Sequence, residues 1–148
     1  MIEDLLAAFP WFDHPEGMKF VEVAKNDHRT VGHWLFVPGS ISVFHRVKQC
    51  DEIWAIHAGR LTLHIVEPAG KHRVLALGLG MAAGERPTAV VPAGYWQAAE
   101  LPAGATYAFG SNVCAPGFTY AALELARRAE LCRAHPQHTN LITRLTRG

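Results

Sequence analysis

The stretch Gly39-Ser-Ile-Ser-Val-Phe-His45-Arg-Val-Lys-Gln-Cys-Asp-Glu52-Ile-Trp-Ala-Ile-His-Ala-Gly59 decides how this chain is read. It holds two β-prone runs closed off by glycines. Side chains alternate across a strand, so Ile41, Val43, His45 and Val47 share one face of the first run. Glu52, Trp54 and Ile56 share a face of the second, and His57 falls on the opposite one. If the two runs pair as neighbouring strands with both apolar faces inward, an imidazole and a carboxylate sit together among aliphatic and aromatic side chains. A carboxylate there must be hydrogen-bonded, paired or metal-bound, because an isolated buried charge is very costly.

The same texture extends on both sides, from about Phe20 to Leu125. Short apolar runs are cut by Pro38-Gly39, Pro68-Ala69-Gly70, Gly78 to Gly80, Pro92-Ala93-Gly94, Pro102-Ala103-Gly104 and Pro116-Gly117. Breakers at roughly ten-residue intervals predict an antiparallel sandwich or barrel, since each strand must soon turn back. Apolar residues at 2, 5, 6 and 9 predict a short N-terminal helix, which Pro10 stops. Ala122 to Ala134 is rich in Ala, Leu, Arg and Glu and reads as a helix. Pro136 breaks it, and a second short helix is expected over His138 to Leu145. The expectation is one all-β domain over 1–148, with a core of about 14–125 and a helical tail over 126–148.

Composition narrows the function classes. The 148 residues carry a formal charge of +1, which gives no footprint for nucleic acid or an acidic membrane. No apolar stretch approaches the length of about 20 residues that spans a bilayer. The opening MIEDLLAAFPWFDH lacks the basic n-region of a signal peptide. Three cysteines without a C-x-x-C fit a reduced, cytoplasmic protein. Nine histidines against three cysteines raise the question of metal, but only His45 has motif spacing behind it.

That spacing resembles a known family. Gly39, His45, Glu52 and Gly59 stand where the first cupin motif has its residues, and Pro92, Gly94 and Gln97 match the second. The finer match is to the cupin-5 branch. It rests on His14-Pro15-Glu16-Gly17 with Phe20 and Glu22, on Asp51-Glu52-Ile53-Trp54, on Ala83 to Pro87, on Val91 to Gln97, and on Pro116-Gly117-Phe118. The chain departs from that branch at Met18 and Lys19, where a further glycine and an aromatic are usual. The resemblance implies a jelly-roll β-sandwich or barrel, often dimeric, with a small-molecule pocket inside it. It implies no particular reaction.

Metal-binding cupins use His-x-His, a Glu and a distal His. Here the second His is Val47 and the distal one Gln97, so no metal cofactor is expected. A divalent ion on His45, Glu52 and Gln97, with Glu16, Cys50 or His57 as an added ligand, is the lesser option. The site is read as His45 acting as a general base oriented by Glu52, with Glu16, Trp54, Tyr95, Gln97 and Tyr107 binding substrate. Tyr95 and Tyr107 are the available acids for a two-base reaction, and Trp54 is the expected pocket wall. His14 is expected to be structural, Cys50 to lie in an exposed turn, and Cys114 in the core. The expected activity is a metal-independent isomerase, epimerase or lyase acting on a small sugar-like or carboxylate substrate. Alternatives are a non-catalytic metabolite-binding protein and a metal-dependent oxygenase or isomerase. A homodimer is the expected assembly, without nucleic-acid or membrane partners.

Overall fold

A computed structural model describes residues 2–148. A short helix, α1 (Ile2–Ala8), precedes the strands β1 (Phe12–Asp13), β2 (Lys19–Asn26), β3 (Arg29–Phe36), β4 (Ile41–Val47), β5 (Asp51–Gly59), β6 (Leu61–Val66) and β7 (His72–Leu77). Next come β8 (Thr88–Val91), β9 (Trp96–Glu100), β10 (Ala108–Ala115), β11 (Leu123–Leu125), and the helices α2 (Arg128–Ala134) and α3 (Thr139–Arg144). The strands form two antiparallel sheets, ordered β1-β2-β3-β10-β5-β8 and β11-β4-β9-β6-β7. They face each other as a jelly-roll sandwich and do not close into a barrel, so the sandwich half of the sequence expectation describes this fold.

Alternation does what the sequence implies. Along β5, Glu52, Trp54 and Ile56 are buried and their neighbours are not. Trp34, Phe36, Trp54, Ile56, Leu63 and Ile65 meet between the sheets. Full burial of side chains this large stabilises by roughly 1.5–3 kcal/mol each. On β4 the alternation fails, because Phe44 is as buried as Val43 and His45. The outer face of this sheet is covered in turn. Phe44, Val66 and Ala98 pack beneath Leu131, Ile142 and Leu145 of the C-terminal segment.

Two expectations are corrected here. Residues 123–125 form a strand rather than the start of a helix, because Leu123 and Leu125 pair with Val47 and His45 on the open edge of β4. A sheet edge overrides helix propensity, and the helix begins only at Arg128. Second, β4 and β5 are not neighbours. They lie in opposite sheets, so His45 and Glu52 face each other across the sandwich rather than along one sheet.

Candidate functional site

The site forms where the lead-in segment 14–18 enters the sandwich. Gly17 has φ 124°, and a side chain there would run into the Ile41 carbonyl oxygen, 2.2 Å from an ideal Cβ. Glycine therefore lets the chain press against β4. The Val43 amide donates to the Glu16 carbonyl oxygen at 2.9 Å. This clamps the segment and turns the Glu16 carboxyl inward, 5% exposed.

Glu16 gathers three partners. Ser42 Oγ donates to its Oε2 at 3.0 Å. His14 Nδ1 and His45 Nε2 stand 3.7 and 3.4 Å from its Oε1. Strict alternation would send Ser42 and His45 to opposite faces. The β4–β9 register shifts between them, however, and that irregularity brings both to the same carboxyl.

His45 is fully buried. Its Nδ1 lies 2.7 Å from the Val43 carbonyl, which can only accept, so Nδ1 carries the proton. Nε2 is then a bare lone pair, and it has no hydrogen-bond partner. Burial lowers the His45 pKa and keeps the ring neutral, against the pull of Glu52. Burial likewise raises the Glu16 pKa, opposed by His14 and the Ser42 hydroxyl. A lone pair facing a carboxylate oxygen would be repulsive, so a neutral Glu16 suits both groups.

Glu52 comes from the opposite sheet. Gln97 Nε2 donates to its Oε1 at 3.1 Å and Asn112 Nδ2 to its Oε2 at 3.3 Å. Gln97 is itself held by Trp54 Nε1, which donates to Gln97 Oε1 at 2.8 Å. Burial, and after it the Glu16 carboxyl, push the Glu52 pKa up to about 7 against the opposing effects of His45, Asn112 and Gln97. A carboxyl with that pKa is half-ionised near neutrality, which suits proton transfer.

A cavity of about 230 Å³ opens beside these groups. Glu16, Glu52 and His14 line it, with Asn112 and Cys114 of β10 and an aromatic wall of Phe12, Phe20, Phe118 and Tyr120. Gly32 leaves room for that wall, since an ideal Cβ there would lie 2.1 Å from the Phe20 ring.

The expected site residues therefore divide. Glu16 and Glu52 reach the cavity. His45 lies behind Glu16 rather than on the cavity surface, and its nearest carboxylate is Glu16, not Glu52. Trp54 and Gln97 are each 1% exposed and stand behind Glu52, so the indole is no pocket wall and both ends of the Gln97 amide are already engaged. Tyr95 packs against the edge of the sandwich core, and neither it nor Tyr107 lines the cavity. Both tyrosines belong to turn regions just before β9 and β10, where strand parity no longer sets direction. His14, expected to be structural, lines the cavity. Met18, the departure from the family pattern, is buried there too. Cys50 is 3% exposed instead of lying in an open turn, and it packs with Cys114, Val47 and Ala122. Ser42, Asn112 and Tyr120 were not singled out by sequence. Ser42 depends on a register shift, Asn112 on a strand distant in sequence, and Tyr120 on a loop.

The residues at the cupin metal positions do not fit a metal ion. Val47 cannot ligate, and the Gln97 carbonyl oxygen is taken by Trp54. Among the described residues, no group of three His, Cys, Asp or Glu side chains converges enough to hold an ion.

Two antiparallel sheets enclosing a buried histidine and glutamate define a cupin jelly roll. The profile of the Cupin superfamily (DUF985) matches residues 3–126, and the chain belongs to that family. A hypothetical protein from Leishmania major shares 26% identity over 99% of this chain and 98% of its own, with a TM-score of 0.93. A protein from Shewanella oneidensis shares 29% over 97% and 96%, with a TM-score of 0.90. Pac13 from Streptomyces, described as a nucleoside dehydratase and solved with uridine, shares the fold at 10% identity over 79% and 83%, with a TM-score of 0.60. No curated protein matches the sequence. No helix among the described residues is long and apolar enough to cross a membrane.

Proposed function

We propose that the chain is a metal-independent acid–base enzyme of the isomerase, epimerase or lyase type, acting on a small polar, sugar-like substrate in this cavity. One observation carries the reading. Two buried carboxyls face a single cavity, and a neutral imidazole with a bare Nε2 stands behind one of them. Two titratable groups in different environments can take opposite roles. Ionised Glu52 takes a proton from carbon beside a carbonyl. Neutral Glu16 gives its proton to the substrate oxygen that gains charge or departs. His45, held with its proton on Nδ1 by Val43, positions the Glu16 carboxyl, and water returns Glu16 and Glu52 to their starting protonation states. The small cupin Pac13, described as a nucleoside dehydratase, sets a precedent for eliminations in this fold, as analogy only. Of the two substrate classes expected from sequence, carboxylates are the weaker, because a carboxylate would meet Glu16 and Glu52 across a cavity without lysine or arginine among its described lining residues.

The test is proton exchange in D2O, followed by NMR, with ketoses, aminosugars and uronates as probes. Wild-type protein is expected to exchange one carbon-bound proton or eliminate water, and Glu52→Gln to lose this by about 100-fold or more. A probe that occupies the cavity without exchange or elimination would overturn the enzymatic reading in favour of simple metabolite binding.

A further inference from the structure

The walls of the cavity carry a second message, about charge. Three carboxyls line it, from Glu16, Glu22 and Glu52, and among the described lining residues there is no lysine or arginine. The remaining lining is largely aromatic. The rings of Phe12 and Phe20 meet edge to face with centroids 5.8 Å apart. Those of Phe118 and Tyr120 do the same at 5.2 Å, and His14 stacks on Tyr120 at 5.8 Å. Phe12 and Tyr120 are 43% and 56% exposed, unusually open for such side chains, and they stand at the cavity itself. Aromatic faces and carboxylates have one ligand chemistry in common: both attract a cation, the rings through their quadrupoles and the acids by charge. A metal ion does not fit, because the carboxyls are spread along the cavity rather than convergent. The volume, below the roughly 300–1,000 Å³ of drug-sized pockets, suits a compact molecule.

We propose that the cavity selects a small organic cation, a protonated or quaternary ammonium, with the charged nitrogen between the aromatic wall and Glu52. This rests on the cavity being the substrate site of the acid–base reading and names the class of substrate it takes. An ammonium in the cavity favours the ionised form of Glu16, to which Ser42 Oγ already donates. A cation also favours the charged form of Glu52, so binding near neutral pH expels protons and tightens as pH rises through about 7. The titratable groups that face Glu52 are Glu16 on the lead-in segment, His45 on β4, Cys50 just before β5, and Cys114 on β10. His14, Glu22 and Tyr120 complete the set around the cavity.

Isothermal calorimetry with matched probes tests the proposal. Choline is a permanent cation, dimethylbutanol is its neutral carbon isostere, and glucuronate supplies an anion. Choline is expected to bind at least about tenfold more tightly than dimethylbutanol, with no glucuronate binding. Its affinity is expected to rise about tenfold between roughly pH 6 and roughly pH 8, with protons released to buffer. Tyr120→Ala, at an exposed position, is expected to weaken choline several-fold and leave dimethylbutanol unchanged. Equal affinity for choline and its isostere, tighter glucuronate binding, or no choline binding at about 10 mM overturns the proposal. The two readings fail separately. Choline binding without proton exchange on any amine probe removes only the enzymatic reading, whereas exchange on neutral sugars without cation preference removes only this one.

Discussion

The second sheet carries imidazole–carboxyl clusters on both faces, and they differ in one respect. On the outer face His64 Nδ1 meets His72 Nε2 at 3.0 Å, and His64 Nε2 meets Glu100 Oε2 at 2.8 Å. Arg144 adds its guanidinium to Glu100, and His138 Nε2 reaches the Gly70 carbonyl at 2.6 Å. Both nitrogens of the most buried imidazole, His64, have partners, and the cluster ties the C-terminal segment to the β6–β7 hairpin. On the inner face His45 Nε2 has none, and Glu52 sits beside a second carboxyl that raises its pKa. Satisfied polar groups hold a fold together; an unsatisfied buried group costs stability and points to chemistry. Number of histidines does not separate the two faces. Their partners do.

The sharpest way to break this contrast is to neutralise the inner carboxyl. Glu52→Gln keeps the size and one acceptor oxygen, giving up the weaker 3.3 Å bond from Asn112, and the D2O exchange rate is expected to fall by about 100-fold or more while far-UV circular dichroism stays native. The same variant should be more stable than wild type at alkaline pH. The Glu52 pKa is raised from 4.5 to about 7 on folding, so below pH 4.5 the carboxyl is protonated in both states and has no effect. As pH climbs from 4.5 to 7 the unfolded chain ionises first, and stability drains away by about 3 kcal/mol. Urea denaturation at about pH 8 should show Glu52→Gln recovering a gain of that order. If the variant is instead destabilised there, Glu52 is a structural residue like His64.

The outer cluster should behave in the opposite way. His64→Ala leaves His72 Nε2 without a partner and Glu100 with Arg144 alone, so stability is expected to fall by about 1–3 kcal/mol with the exchange rate unchanged. The smallest effect is expected at Ser42. Ser42→Ala removes the hydroxyl that donates to Glu16, so about 1 kcal/mol of stability is lost. The Glu16 pKa then rises further, and the pH–rate profile moves toward higher pH. A structural role for Ser42 alone would leave that profile where it is.

Much of the fold was legible in the sequence, for a definite reason. Glycine and proline punctuation sets strand ends, and period-two alternation puts Glu52, Trp54 and Ile56 on one face, the inner one. The pairing of His45 with a carboxyl was legible only in part. Strand parity gives a face but not a sheet partner, so Glu52 was assigned to His45 when Glu16 is nearer. Glu16 and Ser42 depend on a register irregularity and on the Gly17 turn, neither of which has a periodic signature. The residues 123–125 turned from helix to strand because a sheet edge was available, a tertiary fact that local propensity cannot carry. The aromatic wall comes from β1, β2 and the loop before β11, segments that alternation does not bring together.

The most direct measurement is a 13C NMR titration of the Glu52 side-chain carboxyl in the native protein. A midpoint of about 7 is expected, held there by burial and the neighbouring Glu16 carboxyl, with a lower midpoint when choline occupies the cavity. A midpoint near the ordinary 4.5 in the free protein, unmoved by ligand, would contradict it.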